Sequence, residues 1–358
     1  MDAILLDFSK AFDKVCHRKL LLKLEHYGIN GNILSWIEDF LSGRTQNVVV
    51  RGTNSENSPV TSGVPQGTVL GPLVFLVYIN DMPLTVESSL PLFADDSLLY
   101  RIIKKLADSH ILQTDLNNLV QWEHDWSTEF HPDKCKYLRI TNKRKIINAS
   151  YFIHGVQLEN VDQAKYLGLT ITKNLSWKKH ISNIISKATN VRLYLQRNLL
   201  YFDKESKLLC YKVFVRPILE YACPVWSPNG THSLIEDLEM VQRKAARWIE
   251  NKWQYVFSPT QMIRLLKLQS LKTRRQLACL KLLFDISNNL KFVEDKIKPT
   301  RQRCTNIRYQ RQHARVKVYE NSYFPFTIEL WNKLPSKISN ELTRNKFIAS
   351  LEKSYENY

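Results

Sequence analysis

The sequence predicts an α+β fold for its first half and a mainly helical, basic second half. Three observations lead there. Short apolar or β-branched runs alternate with segments of helical period up to about residue 172. From about Trp177 onward the chain becomes helix after helix, rich in Leu, Lys and Arg. With 358 residues, 44% of them hydrophobic, the chain can bury the cores of two or three compact units.

The elements follow in order. Ala3-Ile4-Leu5-Leu6 reads as a buried strand ending at Asp7. A helix carries Leu20, Leu21, Leu24 and Tyr27 on one face and stops at Gly28, and a second covers 31–41. The stretch 47–51 is β-branched and reads as one strand before a turn-rich stretch to Pro59. Ser62-Gly63-Val64-Pro65-Gln66-Gly67 is a loop that opens a largely apolar helix toward Ile79. Strands at 90–93 and 97–100 flank Ala94-Asp95-Asp96, a hairpin with carboxylates at its tip. An amphipathic helix over 108–129 turns Ile111, Leu112, Leu116, Leu119 and Trp122 inward. Further strands are predicted at 137–141, 149–153 and 165–170. The clearest later helices cover 181–195, 204–219 and 233–248. The last hundred residues are basic, with Arg274-Arg275, Arg301, Arg303, Arg308, Arg311 and Arg315.

Charge narrows the function classes. Lys and Arg number 51 against 34 Asp and Glu, a formal +17. Such an excess favours a polyanionic partner, nucleic acid above all, over a plain solvated basic surface. None of the six cysteines forms a C-x-x-C pair or sits at zinc-finger spacing from a histidine, so free thiols of a reducing compartment are expected. No secretory signal is visible, and the longest apolar run, 69–79, is far short of the roughly 20 residues that span a bilayer. An intracellular protein with no membrane partner is expected.

Asp7 at a strand end and Asp95-Asp96 at a hairpin tip each read, alone, as ordinary turn residues. Together, carboxylates from neighbouring strand ends can hold a pair of Mg²⁺ ions about 3.5–4 Å apart, since Mg²⁺ takes hard oxygen ligands and needs neither His nor Cys.

Five ordered segments carry a resemblance. Leu5-Leu6-Asp7-Phe8-Ser9-Lys10-Ala11-Phe12-Asp13 resembles motif A of reverse transcriptases in the form common in jockey- and CR1-like non-LTR (LINE-type) retrotransposons. The loop 62–67, continuing through Leu70-Gly71-Pro72 to Tyr78-Ile79-Asn80-Asp81, resembles motif B. Phe93-Ala94-Asp95-Asp96 resembles motif C, Lys134 the motif D lysine, and Tyr166-Leu167-Gly168 motif E, the primer grip. The resemblance covers the first half strongly. Arg216-Pro217-Ile218-Leu219-Glu220-Tyr221 and Leu330-Trp331-Asn332-Lys333-Leu334-Pro335 also look like the end of such a reading frame.

The resemblance implies a polymerase palm with a ferredoxin-like antiparallel sheet over 1–172, a helical thumb-like region over 173–255, and a basic helical C-terminal region over 256–358. It implies RNA-templated DNA synthesis with two Mg²⁺ ions (Mn²⁺ an alternative), a DNA primer, deoxynucleoside triphosphates, and a nuclear location. By matching positions, Asp7 and Asp95 would be the principal metal ligands, Asp96 a supporting carboxylate, and the Phe8 carbonyl a further ligand. Phe12 would be the steric gate against a 2′-hydroxyl, although ordinary core packing also explains it. Gln66 and Gly67 would line the nucleotide pocket. Lys134 would act near the leaving pyrophosphate, and Tyr166, Leu167 and Gly168 would place the primer end. The family's fingers region and upstream endonuclease have no counterpart here, so an N-terminally truncated reading frame is expected. An inactive remnant that only binds RNA or RNA–DNA duplex, and a nuclease using the same carboxylates, are the alternatives.

Overall fold

The computed structural model describes residues 1–254, 258–288, 297–300 and 307–356, with the Glu356 side chain excepted; Arg301 and Arg303 lie outside the described residues. The chain divides into two units, Met1–Ser176 and Trp177–Tyr358.

The first unit is built on β1 (Asp2–Leu6), whose Ala3, Ile4 and Leu6 are buried. Two helices follow, α1 (His17–His26) and α2 (Asn32–Leu41). The stretch predicted as one strand over 47–51 is instead two small ribbons. β2 (Thr45–Gln46) pairs with β5 (Ser58–Pro59), and inside it β3 (Val49–Val50) pairs with β4 (Thr53–Asn54). Next come the apolar α3 (Leu70–Ile79), a 3₁₀ turn at Met82–Thr85, and the hairpin of β6 (Leu92–Phe93) and β7 (Asp96–Arg101). α4 (Leu106–Trp126) buries Leu112, Leu116, Leu119 and Trp122, with Ile111 half-buried. The remaining strands are β8 (Lys136–Arg139), β9 (Phe152–Ile153), β10 (Val156–Gln157), β11 (Glu159–Val161), β12 (Gln163–Tyr166) and β13 (Leu169–Thr172).

The main sheet has the order β11-β8-β1-β7-β6. It is antiparallel except at one edge, where β11 runs parallel to β8. Period-2 burial puts Ile4 and Leu6 of β1 against one core that also takes Leu20 and Leu24 of α1, Phe75 and Tyr78 of α3, and the inner face of α4. Two buried polar groups tie elements together. Asp2, 2% exposed, accepts from Arg139 at 3.2 Å and from the Tyr151 hydroxyl at 2.8 Å. Lys23 of α1 donates to the Tyr78 carbonyl and, at 2.6 Å, to Asp81, with its ammonium 3.5 Å from the centre of the Trp126 ring. Burial lowers Lys23 to about 8 against the pull of Asp81.

The strand predicted over 165–170 is a hairpin. Tyr166 pairs with Leu169, so Leu167-Gly168 is a two-residue turn, with φ of +46° and +80°. Both angles positive is the signature of a type I′ turn, whose twist matches that of the flanking strands.

The second unit consists of α5 (Lys178–Asn198), α6 (Lys204–Cys210), α7 (Cys223–Trp226), α8 (His232–Glu250), α9 (Pro259–Leu265), α10 (Leu271–Asn288), α11 (Lys317–Glu320), α12 (Tyr323–Asn332), α13 (Ser336–Ser339) and α14 (Arg344–Glu356). Where one helix was predicted over 204–219, α6 gives way to a π turn at Tyr211–Val215 and a 3₁₀ turn at Arg216–Leu219. Pro217, lacking an N–H, breaks the α-helical ladder there. A core of its own gathers Leu280, Leu283, Ile328, Trp331, Phe347 and Leu351. No helix among the described residues is long and apolar enough to cross a membrane.

Candidate active site

Asp7 stands where β1 leaves the sheet, and its side chain is half exposed. Its backbone is braced by the segment after α4. The His131 amide donates to the Asp7 carbonyl at 2.8 Å, the Ser9 amide donates to the Glu129 carbonyl at 2.7 Å, and Phe8 bridges Phe130 with the rings stacked at 4.6 Å. These two bonds come from residues flanking Phe8, so the Phe8 carbonyl takes no part in them. Beneath, the Asp7 amide donates to Cys135 Sγ at 3.4 Å, and burial pushes this thiol up to about 11.

The brace depends on Glu123 of α4. Its Oε1 accepts from the Phe130 amide at 2.8 Å and lies 3.2 Å from His154 Nε2, while the residue is only 3% exposed. Burial raises the Glu123 carboxyl above the usual range, opposed by the Phe130 amide and by His154.

The second group of carboxylates arrives on the β6–β7 hairpin. Phe93 pairs with Asp96, leaving Ala94-Asp95 as the turn, with Ala94 at φ +52°. A non-glycine residue there carries backbone strain of a kind that gathers at functional sites. Leu6 of β1 faces Ser97 of β7, so Asp7 and Asp96 are the next residues at the same end of the two strands. The consequence is electrostatic. Desolvation, then Asp95 and Asp7, raise the Asp96 carboxyl above its ordinary value. Like charges crowded this way favour a cation between them. Among the described residues, no three His, Cys, Asp or Glu side chains form a ready ligand set. The donors present are hard carboxylate oxygens, which suit Mg²⁺ when phosphate and water complete its shell. Lys134 is exposed and places its ammonium 3.7 Å from an Asp7 oxygen.

The loop 62–67 is tied to the chain just after Asp7. The Gly63 amide donates to Val15, the Val64 amide to Phe12 at 2.8 Å, and the Ser62 hydroxyl to Asp13 at 2.8 Å. Gly63 is required. Its φ is +83°, and a Cβ there would come within 2.7 Å of the Asp13 backbone. Arg44 and His17 both reach the Gly63 carbonyl, at 2.7 and 2.8 Å. The loop therefore holds Gln66 beside Asp13, 3.4 Å from its carboxylate, with Gln66 and Gly67 exposed. Phe12 is half-buried and stacks on Phe75 at 4.4 Å, so one face of the ring belongs to the core.

Tyr166, before the turn at Leu167-Gly168, shares a cavity of about 280 Å³ with Asp7, Asp96, Lys134 and Lys165. Burial, then Asp96, raises its hydroxyl pKa. The structure thus gathers Asp7, Asp96, Lys134 and Tyr166 around one space, with Asp95 on the adjoining turn. Phe12, Gln66 and Gly67 belong to the neighbouring loop-and-helix assembly. Glu123, Cys135 and Arg44 were not legible as site residues. On sequence they look like an ordinary helical glutamate, a stray thiol and a surface cation, and only tertiary contacts give them a task.

Residues 3–171 match the family described as reverse transcriptase (RNA-dependent DNA polymerase). Three relatives from Drosophila melanogaster align further. The probable RNA-directed DNA polymerase from transposon X-element is 29% identical over 260 residues, which is 69% of this chain and 28% of that protein. The RNA-directed DNA polymerase from mobile element jockey is 28% identical, over 68% of this chain and 28% of its own length. The probable RNA-directed DNA polymerase from transposon BS is 30% identical over 72% and 30%. The chain therefore spans under a third of the length of each of these relatives. Residues 3–171 thus match the reverse transcriptase family, and the chain is similar in sequence to the RNA-directed DNA polymerases of the jockey, X-element and BS transposons.

Proposed function

We propose that the first unit catalyses RNA-templated DNA synthesis, joining a deoxynucleoside triphosphate to a primer 3′-hydroxyl. The observation that carries this reading is the shared end of β1 and β7, where Asp7, Asp96 and Lys134 line one cavity. Asp7, Asp95 and Asp96 would hold two Mg²⁺ ions, with the Phe8 carbonyl as a further ligand. Bound there, the ions supply activation of the primer hydroxyl and neutralisation of charge at the phosphates.

The chain's own groups do the rest. The Glu123 brace fixes the Asp7 backbone. Lys134 offers a positive charge, and a proton, toward the leaving pyrophosphate. Phe12, held by Phe75, presents its remaining face where a ribose 2′-hydroxyl would lie. Gln66 offers a donor and an acceptor to the incoming nucleotide, and Gly67, with nothing within 4 Å of where a Cβ would stand, lets a ligand approach the backbone. Tyr166, Leu167 and Gly168 form the tight turn on which the primer end would rest.

Primer extension on an RNA template with Mg²⁺ and deoxynucleotides tests this. The parent chain should extend and the Asp95→Asn/Asp96→Asn double variant should not. Equal extension by both would remove these carboxylates from the chemistry. Salt-dependent RNA binding by both, with extension by neither, would leave a binding remnant in its place.

A further inference from the structure

Among the described residues of the second unit, a buried cation has no ion-pair partner. Arg275 of α10 is 1% exposed, yet its Nε and Nη1 have no hydrogen-bond partner. Burial lowers its affinity for the proton, against the pull of Glu239 and Glu220. Two nearby carboxylates favour the charge, but Glu239 gives its Oε1 to the Lys272 amide at 2.7 Å and Glu220 pairs with Arg274, and neither forms an ion pair with Arg275 among the described residues. A guanidinium taken out of water and left unpaired is strongly unfavourable, so such a group is expected to meet an anion.

The space for one is present. Arg275 lines a cavity of about 380 Å³, within the range of small-ligand sites. Lys272, Lys333 and His232 also line it, and no Asp or Glu does. The 19-residue α8 begins at this cavity with no side-chain cap on its first turn and no acidic residue there, so its amide-rich end adds positive potential. Phe326 and Leu330, one turn apart on α12, form an apolar wall. Lys333 is shared with Glu329 at 2.6 Å, both exposed, a pair weak enough to rearrange.

We propose that this cavity binds one nucleotide unit, its phosphate on Arg275 with Lys272 and Lys333 at the mouth, and its base against Phe326 and Leu330. The phosphate comes either from a free nucleotide or from one position of a nucleic-acid strand. The site lies within the second unit and stands apart from the polymerase reading.

The test is calorimetric titration of the whole chain in EDTA, at fixed ionic strength, with adenosine monophosphate, adenosine and a twelve-nucleotide oligoadenylate. Adenosine should bind at least tenfold more weakly than the monophosphate. Arg275→Met should weaken phosphate-bearing ligands at least tenfold while raising the ligand-free Tm, because an unpaired buried charge has been removed. The Lys272→Gln/Lys333→Gln variant, altered only at exposed positions, should weaken them severalfold. Binding of the monophosphate identifies a free nucleotide as the source. Arg275-dependent binding of the oligonucleotide alone identifies a strand. Affinities unchanged in either variant, or adenosine binding as tightly as whichever phosphate-bearing ligand binds, would overturn the proposal. Should Arg275→Met fail to fold, the lysine variant decides in the same way.

Discussion

Glu123 shows how a residue far from any motif can brace one proposed to act in catalysis. Its carboxylate oxygen holds the Phe130 amide, and the segment so held pins the backbone on either side of Phe8. Replacing it by Leu leaves that buried amide unpaired, at a cost of about 1–3 kcal/mol. In primer extension, Glu123→Leu should lower kcat roughly ten- to a hundredfold through misplacement of Asp7, with KM for the deoxynucleotide little changed. Glu123→Gln keeps an acceptor for the amide and should retain most of the rate. A fall in stability with kcat intact would reduce Glu123 to a structural role. The legibility of this site divides along the same line. Asp7, Asp95 and Asp96 were legible in the sequence because their segments resemble motifs A and C, although each alone reads as an ordinary turn residue. The hold of Glu123 on Phe130 joins a helix to a loop beyond its end, and no periodicity records which buried face such a glutamate will serve.

At the scale of elements, the misread strands of the first unit share one cause. Arg51-Gly52, His154-Gly155 and Leu167-Gly168 all close two-residue hairpins with both φ angles positive. The usual sequence signal for such a turn is Asn-Gly or Asp-Gly, because the first residue must also accept a left-handed backbone. Arg, His and Leu give no such signal, so 47–51 and 165–170 read as single strands. The long elements were legible because their period is long enough to count. β1, α1, α2, α3 and α4 all fall within a few residues of their expected bounds. The left-handed Arg51, exposed and at φ +50°, is strained for its type. Arg51→Asn should therefore stabilise the first unit by about 0.5–1 kcal/mol, seen as a higher urea midpoint with an unchanged slope. A lower midpoint would mean that the Arg51 side chain contributes more than its backbone costs.

For the whole molecule, the two units each close around their own hydrophobic core. Calorimetry should resolve two unfolding transitions. Ile4→Ala, which empties a fully buried position of the first core, should lower one of them, by about 2–5 kcal/mol in that unit's stability. Whichever of adenosine monophosphate and the oligoadenylate binds should raise the other, through Arg275. A single transition shifted by both would show that the chain unfolds as one cooperative body. The first unit also contains a clock. Cys135 is almost fully enclosed, and at a pKa of about 11 it is protonated under physiological conditions. An alkylating reagent needs the thiolate and a path to it, so it must wait for the floor beneath Asp7 to open. The rate at which that sulfur is modified therefore counts how often the ground under Asp7, the proposed metal ligand, gives way.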